Sequence, residues 1–179
     1  FSEYEKTNYE DKLIPNNFKL MINYGYGEKV QSENQINFSK FKIEIYKKFD
    51  FSSKLKLKSK FTKEEINSKN MLKNELLRFG GLNSIRGFEE NSIYTNSYLM
   101  LNTSLNYYIN DTIYIYTIFD LANYKNNVDD FEDDLYAGGI GFSATTENGV
   151  ISVNYSKGNS WGNKFNLKNA KISINFVTY

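Results

Sequence analysis

The chain has 179 residues, a length suited to one domain, and its 40% hydrophobic and 17% aromatic content supplies enough apolar surface to exclude disorder. A formal net charge of +1 offers no field for recruiting nucleic acid, and none is expected as a partner. Histidine and cysteine are both missing, which removes the commonest general base, the commonest metal ligand and all thiolate or disulfide chemistry, so the sequence predicts no enzyme, no cofactor and no metal.

No stretch of 18 apolar residues exists to form a transmembrane helix, and residues 1–6 lack the order of a signal peptide. From residue 18 the pattern has period two. Phe18, Leu20, Ile22, Tyr24 and Tyr26 alternate with Lys19, Met21, Asn23 and Gly25, which predicts a strand with one apolar face. Phe41, Ile43, Ile45 and Phe49 form a second apolar set, with Glu44 in the opposite phase. Leu55, Leu57 and Phe61 form a third, set against Lys54, Lys56, Lys58 and Lys60. A short helix is expected over residues 63–77, inside a long polar connection. Beyond it come Leu99, Leu101, Leu105, Tyr107 and Ile109, and then Ile113, Ile115, Phe119 and Leu121. The last three strands are marked by Tyr136, Ile140 and Phe142, by Ile151, Val153 and Tyr155, and by Ile172, Ile174 and Phe176. Eight strands result.

Short connections at residues 47–52, 110–111 and 146–149 alternate with long ones at 27–35, 62–92, 122–134 and 157–169. Outer-membrane barrels have this asymmetry, together with an even strand number. The same count suits a soluble up-and-down barrel whose apolar face points inward, as in lipid carriers. The companion face weighs toward the membrane: Tyr98, Met100, Tyr114, Tyr116, Gly139 and Gly141 mix large and small side chains in a way that suits a narrow, filled lumen. The expected fold is therefore all-β, an eight-stranded antiparallel transmembrane β-barrel. A barrel domain is expected over residues 17–179, behind a periplasmic segment over 1–16.

The long third connection carries Gly80-Gly81 and then Arg86-Gly87-Phe88. This resembles the inward-folded loop of the BamA-type outer-membrane assembly family, the bacterial surface antigen family, and the resemblance runs from about Gly80 to the C-terminus. Ser104-Leu105-Asn106-Tyr107, Phe119-Asp120 and Gly139-Ile140-Gly141-Phe142 are similar to later family motifs. Asp120, in the polar phase of its strand, needs a cation if it faces the lumen. Arg86 can supply a guanidinium fork, Gly87 the turn and Phe88 an anchor. In the family an acidic residue on the preceding strand helps hold the arginine. Here that position looks like Asn106, with Glu44 or Glu89 as substitutes.

The resemblance implies the bacterial outer membrane, and a non-enzymatic role in its biogenesis through insertion or organisation of proteins or lipids. Partners would be outer-membrane lipids, client β-barrel proteins and a second copy in a homodimer. Family members usually have sixteen strands and POTRA modules, so the chain would be a short member without them or the C-terminal half of a longer barrel. The family's seam between first and last barrel strands would involve Gly25, Gly27, Phe176 and Tyr179. The alternatives are a structural or surface-interaction outer-membrane barrel and a soluble lipid-carrier-like barrel. Lys54, Lys56, Lys58, Lys60, Glu44, Tyr114 and Tyr116 are expected to line the lumen, the lysines reaching toward water, acidic neighbours or lipid headgroups. The acidic run of Asp129, Asp130, Glu132, Asp133 and Asp134 lacks the spacing of a calcium loop and reads as solvated.

Overall fold

A computed structural model describes residues 2–11, 14–31, 34–164 and 166–178. The chain is all-β. Eleven strands occur among the described residues: β1 (Ser2–Asp11), β2 (Ile14–Gln31), β3 (Asn34–Asp50), β4 (Leu55–Ser68), β5 (Leu77–Phe79), β6 (Ile93–Thr95), β7 (Ser97–Tyr108), β8 (Ile113–Asn126), β9 (Phe131–Thr146), β10 (Gly149–Ser160) and β11 (Lys171–Thr178). Nine of them form one antiparallel sheet in the order β1-β2-β3-β4-β7-β8-β9-β10-β11, while β5 and β6 pair separately.

Three expectations need correction. The sheet has nine strands and not eight, and it is not closed: β1 and β11 are its edges among the described residues. The ninth strand, β1, pairs with β2 from Ser2–Tyr24 to Asp11–Ile14 and falls within residues 1–16. Its sequence, SEYEKTNYED, mixes charge into both phases, so periodicity does not reveal it. The helix expected at 63–77 is instead the end of β4 and a single 3-10 turn, Lys73–Glu75. The connections at 27–35 and 122–134 are also shorter than expected, because β2, β3, β8 and β9 keep pairing into polar sequence. A backbone ladder does not require apolar side chains; only the membrane-facing part of it does.

Pairing register sorts the side chains into two faces. One row across the sheet reads Leu55, Tyr107, Ile115, Phe142, Val153 and Ile174, all apolar. A row on the other face reads Lys60, Asn102, Asp120, Ala137 and Gly158. Exposure is inverted relative to a soluble protein. Ile140, Ile172 and Ile174 are 65–72% exposed, whereas Asp120, Ser143 and Ser156 are wholly buried and Asn106 and Asn154 nearly so. The soluble-carrier alternative requires the apolar face to be the covered one, and it is the uncovered one.

The covered face is filled by the segment between β4 and β7. Leu77, Phe79 and Ile85 from this segment pack on Tyr98, Met100, Ala122, Leu135 and Ala137, with Phe88 and Ile93 at the margin. Phe79 stacks on Tyr98 at 4.7 Å and meets Tyr124 edge-on at 5.6 Å. Each such side chain contributes roughly 1.5–3 kcal/mol when buried, so the loop is held against the sheet by apolar contact before any charge is counted.

Candidate functional site: the inward loop and its lock

β5 and β6 form the stem of the inward loop through the pairs Leu77–Thr95, Arg78–Tyr94 and Phe79–Ile93. Leu77 and Phe79 share one face, which turns both into the core. Gly80 and Gly81 then take positive φ, and the tip is tied by Gly81 N–H to Ile85 O at 3.1 Å and by Asn102 Nδ2 to Ser84 O at 2.7 Å. Arg86 follows directly.

Arg86 engages Asp120 three times. Its backbone N–H donates to Oδ2 at 3.0 Å, Nε donates to the same oxygen at 2.8 Å, and Nη2 donates to Oδ1. Nη2 also donates to Thr103 O at 3.1 Å. The Asp120 side chain is fully buried and that of Arg86 is 14% exposed. A carboxylate in that position is tolerable only with such a fork, because three charge-assisted bonds replace its lost hydration.

Gly87 explains why the motif is Arg-Gly-Phe. Its φ is +81°, and a Cβ there would lie 2.4 Å from the backbone nitrogen of Gly158 on β10. Gly158 N–H donates to Gly87 O at 3.2 Å, so two backbones touch without intervening side chains. A Cβ on Gly158 would meet the Phe88 ring at 2.0 Å, so Phe88 is seated by the lack of a side chain beneath it. Sequence reasoning missed Gly158; its only signal is a glycine in the inward phase of a strand, beside Ser156 and Asn154.

Register also corrects the neighbour of the lock. Asn102, not Asn106, stands opposite Asp120, while Asn106 pairs with Tyr116 further along. The tight turn at 109–112 sets this, since Tyr108 pairs with Tyr114 and every later partner follows by counting. Neither proposed substitute reaches Arg86. Glu44 lies 3.4 Å from Lys42 and 4.0 Å from Lys60, and Glu89 lies 3.0 Å from Lys171 on β11.

Lys56, Lys58 and Lys60 share the lock's face, but Lys54 sits exposed in the turn before β4. Lys56 lies over the Tyr108 ring at 4.7 Å and Lys58 over Tyr114 at 5.0 Å, while Tyr114 neighbours both Tyr108 and Tyr116. Between this group and the loop tip lies a cavity of about 330 Å³ lined by Tyr46, Lys58, Lys60, Ser84, Arg86 and Asn102. Gly25 and Gly27 lie on β2 just past the last described pair with β1. Phe176 is outward on β11, opposite Ile151, and Tyr179 falls outside the described residues.

Residues 16–144, well over half of the chain, match the family model of the haemolysin secretion/activation protein ShlB/FhaC/HecB. The chain belongs to this family. ShlB/FhaC/HecB proteins are outer-membrane proteins of Gram-negative bacteria, of the Omp85 type, involved in secretion and transport. The resemblance to BamA thus holds at the level of the superfamily, and ShlB/FhaC/HecB is the family within it. No curated protein matches the chain. The matched span runs from β2 into β9, so it contains the whole inward loop, Arg86 and Asp120 of this ShlB/FhaC/HecB member, and it stops before Gly158.

Proposed function

We propose that the chain acts without bond chemistry in moving polypeptide across the outer membrane, with the Arg86-tipped loop as the element that keeps its polar face occupied until a client engages it. The observation that carries this reading is the triple contact of Arg86 with a fully buried Asp120, on the face opposite the apolar surface. Membership of a secretion/activation family supports a polypeptide client. Client polypeptide and outer-membrane lipids are then the partners.

A second reading draws on the free edges. β1 and β11 each lack a neighbour on one side among the described residues, and an unpaired edge is a template for another strand. That strand would belong to a client barrel in a biogenesis role, or to a second copy of the chain.

Secretion measured in cells separates the readings. With outer-membrane level held equal, Arg86→Ala and Asp120→Asn are expected to change export of the client several-fold, whereas stimulation of client-barrel folding in vesicles by the purified protein supports the edge reading. Export indifferent to both substitutions and to deletion of the chain defeats the transport reading.

A further inference from the structure

The outer face changes character within one row of the sheet. Phe61, Leu101, Leu121 and Tyr136 form the last apolar row, and the next reads Lys63, Leu99, Asn123 and Asp134, followed by Glu65, Ser97, Lys125 and Glu132. These rows lie at the end of the sheet from which the long inward loop springs. In outer-membrane proteins the longer loops are extracellular, so the change of character marks the boundary of the outer leaflet.

Two cavities meet at this boundary. An apolar groove of about 350 Å³ is lined on the outer face by Phe61, Leu99, Leu101, Leu121 and Trp161, with Asn123 and Asp134 of the next row also lining it. A polar pocket of about 280 Å³ lies beside it, lined by Lys63, Glu65, Asn67, Asn96, Lys125 and Glu132 among others, and Leu99 and Asn123 line both. An acyl-sized groove continuous with a headgroup-sized pocket, both on the membrane-facing side, has the shape of one amphiphile.

The polar pocket's chemistry narrows the occupant. Lys63 is balanced by Glu65 at 3.6 Å, but Lys125 makes no ion pair among the described residues. Lys125 stands opposite Glu132 in the β8–β9 ladder without closing an ion pair, so among the described residues its ammonium is the pocket's one cation not held by a carboxylate. Around it stand amides and carboxylates: Asn67 Nδ2 donates to Glu65, and Asn123 Nδ2 donates to both Glu132 and Asp134. Paired carboxylates and amides suit hydroxyl groups, which donate and accept at once, and a simple phosphodiester headgroup offers fewer of these.

We propose that this boundary site binds a phosphorylated glycolipid of the outer leaflet, with the phosphate on Lys125, sugar hydroxyls among Asn67, Asn123, Glu65 and Glu132, and an acyl chain in the groove between Leu101, Leu121 and Trp161. The site faces away from the inward loop and is separate from the Arg86–Asp120 lock.

Native mass spectrometry of the full chain in detergent, offered bisphosphorylated lipid A or phosphatidylglycerol in turn, tests it. Retention of lipid A over phosphatidylglycerol is expected. Lys125→Glu should lower retained lipid A about tenfold, the size of one lost charge-assisted hydrogen bond, and Lys125→Arg should restore it. Leu101→Trp, which fills the groove, should lower retention without touching the headgroup pocket. Equal retention of both lipids, or lipid A binding unchanged by Lys125→Glu and Leu101→Trp in protein that keeps its folded gel mobility, overturns the proposal.

Discussion

At the scale of single residues, the lock is directional. Asp120 receives a backbone N–H and two guanidinium nitrogens from Arg86, and Arg86 also reaches Thr103 O. Removing the carboxylate's charge leaves a confined guanidinium uncompensated, so Asp120→Asn should destabilise the loop's seat by about 3–5 kcal/mol. A lower unfolding temperature in heat-modifiable gel mobility, with new proteolysis within residues 80–92, is the expected result. Arg86→Lys should resemble Asp120→Asn, because a point-like ammonium cannot reach both carboxylate oxygens and the Thr103 carbonyl together. Gly158 gives an independent check. In Gly158→Ala the new methyl collides with the Phe88 ring, and truncating that ring should relieve the collision. Gly158→Ala alone should therefore release the loop to protease, and Gly158→Ala with Phe88→Ala should be cut less than the single variant. If the double variant is cut more, Phe88 does not rest on Gly158.

At the scale of elements, the inward loop is anchored at its outer end as well as its tip. Glu75, in the 3-10 turn, accepts the Leu72 N–H at 2.8 Å and lies 2.6 Å from Lys29 Nζ on β2. The Leu72 N–H first, and then Lys29, hold the Glu75 carboxyl below the usual glutamate range. A lowered folded-state value means that this tie is fully present above the ordinary glutamate pKa and is lost as pH falls through the lowered one. Protease nicking of residues 69–76 should therefore rise on acidification below the ordinary range. Glu75→Gln should be nicked at neutral pH and show no such step. Which elements the sequence disclosed follows the same physics. Strands whose outer phase meets lipid, such as the one through Ile113, Ile115, Phe119 and Leu121, are legible because the solvent enforces alternation. β1, the outer ends of β2 and β3, and the stretch at 63–68 are strands through backbone pairing in polar sequence, and they leave no periodic trace. Arg86 and Asp120 were legible from charge and phase, whereas Asn102 and Gly158 depend on register, which only the turns fix.

At the scale of the whole molecule, the decisive property is that fully buried polar groups share the covered face with the loop's apolar contacts while the uncovered face is apolar. A sheet with Asp120, Asn106, Ser143, Asn154 and Ser156 inside and Ile140, Phe142, Ile172 and Ile174 outside is stable only where the outer side meets hydrocarbon. The apolar phase of β8 spans residues 113–121 before Asn123, close to the roughly 9–11 residues a tilted strand needs to cross a bilayer. Position within that band should set the cost of a charge. Ile140 pairs with Thr117 near its middle, whereas Asn123 lies just beyond its upper limit. In urea titrations of protein folded into phosphatidylcholine vesicles, Ile140→Arg should cost about 2–4 kcal/mol and Asn123→Arg about 0–1 kcal/mol. Equal costs at both positions would mean that the apolar face does not meet lipid at that depth. A stabilised, water-soluble Ile140→Arg variant would mean that it does not meet lipid at all, because an uncovered isoleucine gains from a charge only when its surroundings are aqueous.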